Sequence, residues 1–238
     1  GRLPPGSFGS AAVAAESELV TSLLDCARSQ GIDWGLSEAL VIECALDPTT
    51  TLFGSVTVIP SPGRWGPVQV GVGKLKGKRI LQAWVDLLAL TATQAPRAER
   101  CVAILIGKSA SSSKAQPVER RLIELRESSD PRGLARGALV ELVALYRWAH
   151  CDVVPIFSET SYSLSPLGKG DSEAQKAWLS TGPGFAYGDR LDPATMLAFG
   201  DLEFEELMEL ETRDEDFAQF GISPGTAIGS PARATFYS

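Results

Sequence analysis

The sequence predicts an α/β or α+β fold in which a mixed central sheet is flanked by helices. Cys101-Val102-Ala103-Ile104-Leu105-Ile106 is an unbroken apolar run of strand length, the pattern of a strand covered on both faces. Shorter β-branched runs precede it at 39–44, 52–59 and 68–72. Helical periods of apolar residues stand before, between and after these runs, over 10–30, 81–93 and 131–150.

The elements follow in order. Val13, Leu19, Val20, Leu23, Leu24 and Ala27 recur at helical spacing, with Ser10 placed to cap the helix and Gly31 to stop it. The runs 39–44, 52–59 and 68–72 are separated by Asp47-Pro48 and Ser61-Pro62-Gly63, which predicts a three-stranded antiparallel meander. Leu81, Trp84, Val85, Leu87, Leu88 and Ala92 make a wide stripe, so a helix crosses to the 101–106 strand. Val118 to Leu125 reads as an added edge strand. Asp130-Pro131 opens a helix through Leu134, Leu139, Leu142, Val143 and Tyr146 to about His150.

Beyond Pro155 the pattern weakens. Ser161 to Gly170 reads as loop, Ser172 to Leu179 as a short helix, and Gly182 to Asp192 as a Gly- and Pro-rich stretch carrying Phe185 and Tyr187. Residues 201–216 hold nine acids against Arg213, a net of −8, with Leu202, Phe204 and Leu207 interleaved as on a solvated helix face.

At 238 residues and 44% apolar the chain is long enough for one large or two small domains with a real core, which excludes disorder as its ground state. Its 22 basic against 29 acidic residues give a net charge of −7, so it is no basic nucleic-acid coat and any such contact must be local. It has neither the roughly 18 apolar residues of a membrane span nor a signal pattern, which leads to the expectation of a soluble, cytoplasmic protein. A start at Gly1-Arg2-Leu3 without Met suggests a piece of something longer. Cys26, Cys44, Cys101 and Cys151 form no C-x-x-C pair and His150 is the one histidine, so no zinc site is expected and the thiols read as reduced, buried, small apolar groups.

Three motif fragments fail on spacing. Gly107-Lys108-Ser109 imitates the end of a phosphate-binding loop, but Val102 stands where its first glycine belongs. Gly71-Val72-Gly73 needs a third glycine where Lys76 stands, with no clear βαβ unit around it. His150 and Cys151 are adjacent, so on a helix they diverge by about 100° and cannot pair as base and nucleophile. Helix-end packing is the expected role of His150.

The informative stretch is 48–85, which has no Asp or Glu but carries Arg64, Lys74, Lys76, Lys78 and Arg79, a local +5 in an acidic chain. Clustered cations at a strand end can hold DNA phosphates through counterion release; the alternative is a solvated lysine turn.

The segments Leu3-Pro4-Pro5-Gly6, Phe53-Gly54-Ser55-Val56 and Gly73-Lys74-Leu75-Lys76-Gly77-Lys78-Arg79-Ile80-Leu81-Gln82-Ala83-Trp84 form the start of an ordered pattern. Leu139-Val140-Glu141-Leu142, Pro155-Ile156-Phe157, Ala177-Trp178 and Asp192-Pro193-Ala194-Thr195-Met196 continue it. Taken together, over about 3–215, they resemble the C-terminal domain of RecC, the gamma chain of exodeoxyribonuclease V, of the actinobacterial type. Gly221-Ile222-Ser223-Pro224 departs from that family's helical ending, so the expected organisation is one domain over 1–216 and a divergent or disordered tail over 217–238.

The resemblance implies a restriction-endonuclease-like (PD-(D/E)XK) fold with a degenerate active site. The implied setting is the RecBCD helicase and nuclease, with RecB-like and RecD-like subunits and with double-stranded DNA ends and split single strands as partners. Strand splitting and recognition of the Chi sequence belong to that whole assembly, of which this chain is about a fifth of one subunit. An active member needs an acid on the second strand and Asp/Glu-x-Lys on the third to hold Mg²⁺. The corresponding positions here offer Val56-Thr57-Val58 and Val72-Gly73-Lys74, so the lysine survives and the acid does not.

The reading is therefore a non-catalytic DNA-engaging and subunit-binding domain, with no catalytic residue, metal or cofactor, whose DNA contacts are Arg64, Lys74, Lys76, Lys78 and Arg79. One rival is an active Mg²⁺-dependent nuclease with a rearranged site drawn from Glu38, Glu43, Asp47 or Asp86. Another is a purely structural module docking a partner through 201–216 and the loop around Phe185 and Tyr187.

Overall fold

A computed structural model describes residues 7–93, 100–109, 117–125, 129–151, 156–157, 159–164, 170–179 and 188–209. The chain divides into two units, one comprising 1–75 and 79–139, the other 76–78 and 140–238.

The first unit begins with helix α1 (Ser7–Ser29), which starts earlier than the sequence suggests and so places Ser10 inside its first turn rather than at its cap. Gly31, at φ +70°, ends it in the left-handed region that glycine tolerates. Strands β1 (Glu38–Asp47) and β2 (Thr50–Val58) form an antiparallel hairpin in continuous register from Glu38/Val58 to Ala45/Thr51. The expected third meander strand leaves this hairpin. The short β3 (Arg64–Trp65) and β4 (Val68–Lys74) both run parallel to β5 (Arg100–Lys108), Arg64 beside Arg100 and Val68 beside Ile104. Helix α2 (Gly77–Thr93) carries the chain from β4 to β5, so a βαβ unit does surround Gly71-Val72-Gly73, contrary to expectation. A parallel neighbour needs such a crossover, and α2 supplies it. Strand β6 (Val118–Glu124) adds antiparallel to the free side of β5, as the sequence suggests.

Alternation along β5 explains its unbroken apolarity. Val102, Ile104 and Ile106 meet Leu19, Leu23 and Ala27 of α1, joined by Val68, Val70, Val118 and Leu122 from the neighbouring strands. Cys101, on the opposite face, packs with Trp65, with Ile42, Val56 and Val58 of the hairpin, and with Ala89 and Leu90 of α2. The strand is buried from Val102 to Gly107, between a helix on one face and a helix with a hairpin on the other.

Helix α3 (Pro131–Cys151) opens on Asp130, whose carboxylate accepts the Gly133 N–H at 2.8 Å. The Arg136 guanidinium donates from Nε and Nη2 to the Leu46 carbonyl at 3.3 and 3.0 Å, tying α3 to the hairpin.

The second unit is helical among its described residues. Ser161 and its neighbours, expected as loop, form the short helix α4 (Thr160–Leu164), whose opening amides Glu159 and Thr160 donate to Asp189 Oδ2 at 3.2 and 2.8 Å. A distant side chain supplies this cap, so no local pattern announced it. Helices α5 (Asp171–Leu179), α6 (Pro193–Phe199) and α7 (Phe204–Glu209) follow. Asp192 caps α6, accepting the Ala194 and Thr195 N–H groups, with Pro193 at its first position. Phe157, Ala174, Trp178, Phe204 and Leu207 form the core, and Glu205, Glu206 and Glu209 of the acidic stretch face solvent as expected. The segment 1–6, Phe185, Tyr187, 210–216 and the tail 217–238 lie outside the described residues.

The four cysteines are free thiols, but only Cys44 is buried; Cys26 and Cys101 are half-buried and Cys151 is exposed, against the expectation of four buried thiols. Cys151 is the exposed last residue of α3. His150 is likewise exposed, its Nδ1 3.0 Å from the Tyr146 carbonyl and its ring 4.2 Å from the Tyr146 ring, so it packs on its own helix.

Candidate nucleic-acid interface

The β4–α2–β5 crossover sets the place of the basic residues, because ligands of open α/β sheets gather where parallel strands end at their carboxyl termini. Lys74 is the last residue of β4 and exposed; Lys76 lies in the connection, exposed; Lys78, also exposed, is in the first turn of α2. Arg64 is separated from them. It pairs with Arg100 while Lys74 pairs with Lys108, eight residues further along β5, roughly 26 Å at 3.3 Å per residue.

The Arg79 guanidinium lies against Gly71. A β-carbon on Gly71 would stand 2.5 Å from Arg79 Nη2, so the half-buried guanidinium occupies the space that a side chain at 71 would need. Between Val70 and Lys74 the register slips, β4 advancing four residues while β5 advances two, and Gly71-Val72-Gly73 absorb the excess. Gly107 completes the close approach, since a β-carbon there would meet Leu75 Cδ2 at 2.6 Å and the Gly73 carbonyl oxygen at 2.8 Å. The glycines that imitate nucleotide-binding loops are those that let two strand ends crowd together.

That crowding sets Lys74 directly beside Lys108, a residue that the sequence offered only inside a failed motif. Across β5, Ile106 pairs with Arg120 and Lys108 with Val118. Neither Lys108 nor Arg120 is singled out by local charge, because they follow Lys74 by 34 and 46 residues.

In the second unit, Glu159 faces the 76–78 segment. Burial pushes its carboxyl above the usual range, opposed by the Lys76 charge and by hydrogen bonds from the Gly77 and Lys78 amides, while Asp189 adds to the rise. Lys76 thus has a carboxylate neighbour, and its charge is partly spent within the unit.

The acidic candidates do not converge. Glu38 and Glu43 are exposed on β1, and Asp47 accepts the Thr49 N–H and hydroxyl at 2.7 Å in the hairpin turn. Asp86 is half-buried on α2, 3.5 Å from Gln69 Nε2, its carboxyl raised by burial and lowered a little by that contact. Among the described residues no group of three or more His, Cys, Asp or Glu side chains is placed to hold a metal ion, and no helix is long and apolar enough to cross a membrane.

The chain matches the family model of the RecC C-terminal domain over residues 1–165. It is 28% identical over 220 residues to the RecBCD enzyme subunit RecC of Mycolicibacterium smegmatis, a match that covers 91% of this chain and 19% of that protein. The chain therefore spans about a fifth of the length of the curated relative it matches. With more than half of its length under the family model, the chain belongs to the RecC C-terminal domain family.

Proposed function

We propose that this chain is a non-catalytic DNA-engaging and subunit-binding domain of a RecBCD-type helicase and nuclease, serving double-strand break repair by homologous recombination. The observation that carries the reading is the acid-free stretch 48–85, which delivers Lys74, Lys76 and Lys78 to the strand ends of a βαβ unit in an otherwise acidic chain. RecB-like and RecD-like subunits, duplex ends and split single strands are its partners, and the cytoplasm its compartment.

The order α1, β1, β2, β4, α2, β5 supports a restriction-endonuclease-like ancestry, with Lys74 at the end of β4 in the lysine position. Val72, two residues earlier, holds the place of the carboxylate and is 52% exposed, so it offers a metal ion no ligand. Hydrolysis of a phosphodiester by paired Mg²⁺ ions requires that carboxylate charge. Arg64 and Arg79 are the outlying members of the DNA-contact set, one eight residues away along β5 and one with its guanidinium against Gly71.

The test is fluorescence anisotropy of the chain with a labelled forked duplex, repeated as salt rises. Binding that weakens with salt is expected, and charge reversal of Lys76 and Lys78 together should lower the log–log slope by about two. Unchanged affinity and slope removes both lysines from the interface. Cleavage of the duplex in Mg²⁺ or Mn²⁺ that is lost in Glu43→Ala or Asp86→Ala would overturn the non-catalytic reading.

A further inference from the structure

We infer that Lys74, Lys108 and Arg120 form one phosphate seat, a contact to nucleic-acid backbone assembled from three different strands. The inference rests on the DNA-engaging reading above and extends it to two residues outside the basic stretch.

Strand geometry puts the three cations on one face. Lys74 and Lys108 are register partners in parallel strands, so their side chains leave the sheet on the same side, about 4.8 Å apart at the backbone. Alternation along β5 makes that the side of Val102, Ile104 and Ile106, the side covered by α1. On β6, Arg120 pairs with Ile106 and shares its face with Val118 and Leu122, which pack against the same cluster. Arg120 is therefore diagonal to Lys108 on that face, roughly 7–8 Å away at the backbone and within reach of two long side chains.

Charge makes the arrangement anomalous. All three side chains are exposed, and none has an ion-pair partner among the described residues. Their neighbours on the opposite face behave differently, Arg121 being neutralised by Glu119 at 2.7 Å. Like charges placed side by side on a sheet destabilise it, so three of them left unneutralised in a chain of net charge −7 call for an external anion. Ammonium and guanidinium groups spread over three adjacent strands suit the repeating phosphates of a backbone, contacts that position a strand without reading its bases.

The experiment is the same forked-duplex titration with Lys108→Glu, Lys108→Gln, Arg120→Glu and the double variant Lys74→Glu/Lys108→Glu, each checked for an unchanged far-ultraviolet spectrum and melting curve. Lys108→Glu is expected to weaken binding about fivefold or more and to lower the salt slope by about one, with Lys108→Gln between it and the native chain. With Lys74→Glu measured alone as well, the double variant should lose less than the product of the two single losses, because both lysines serve one seat. Native affinity and slope in Lys108→Glu and Arg120→Glu overturns the seat. If Lys76 and Lys78 reversal weakens binding while those two variants do not, the DNA-engaging reading stands and the seat falls. If the native chain shows no salt-sensitive binding at all, both fall. Loss of polyglutamate binding by Lys108→Glu with DNA binding intact makes the surface a dock for acidic protein and likewise overturns the inference.

Discussion

Gly66 lies so close to Val102 that a β-carbon at position 66 would stand 2.3 Å from the Val102 carbonyl oxygen. Its φ of +149° also falls in a region that side chains rarely adopt. Gly66 sits at the break between β3 and β4, and both segments keep the same offset to β5, so the glycine lets one long parallel edge pass the buried strand without a gap. Because the atoms in the way are backbone, no rotamer change relieves them. Gly66→Ala is expected to cost roughly 2–4 kcal/mol, read as a fall in the urea midpoint. A shift below about 0.5 kcal/mol would mean that the β3–β4 break tolerates a β-carbon.

Trp178 should dominate the stability of the helical unit. It is fully buried, meets Phe157 edge-on with ring centres 4.9 Å apart, and donates from Nε1 to the Leu202 carbonyl at 3.1 Å. Trp178→Ala is expected to cost about 3–5 kcal/mol through the cavity it leaves, and Trp178→Phe about 1–2 kcal/mol through the lost hydrogen bond and part of the volume. Hydrogen exchange should show the loss in α5 and α7 and leave the protection of β5 unchanged.

Arg136 offers a test of the tie between α3 and the β1–β2 hairpin. Its two nitrogens share one acceptor, the Leu46 carbonyl, which lies where the β1 register breaks between Ala45 and Asp47. Arg136→Met keeps the apolar stem and removes the donors, with an expected cost of about 1 kcal/mol. Amides of the hairpin turn should exchange faster in that variant; unchanged rates there would show that the turn holds itself.

Asp86 gives stability a pH dependence of known sign. Its carboxyl is raised by burial and only partly relieved by Gln69, so the folded chain favours the protonated form more than the unfolded chain does. The stabilisation this group contributes is then fully present below the unfolded carboxylate value and is lost as pH rises through its raised folded value. Asp86→Asn should raise the melting temperature at pH 7 and change it little at pH 4. An equal gain at both pH values would point to packing rather than ionisation.

Much of the secondary structure was legible from the sequence because it follows from short-range rules. The apolar run 101–106, the helical stripes beginning at Leu81 and Pro131, the glycine stop at 31 and the edge strand after Val118 each follow from periodicity or turn chemistry, and each stands in the structure. The expected meander failed because strand pairing is a long-range property. Nothing local tells the 68–74 segment to prefer Ile104 over Val56, and the choice rests on α2 burying Ala89 and Leu90 against the hairpin while α1 covers the other face. Helix α4 was missed because its amides are capped by Asp189, about 30 residues on. For the candidate interface, the sequence alone determined the acid-free basic stretch and the Val72 that stands two residues before Lys74. Only the tertiary structure set Arg64 eight residues from Lys74 along β5, laid the Arg79 guanidinium against Gly71, and brought Lys108 and Arg120 alongside Lys74, since strand register joins strand ends that the chain itself keeps far apart.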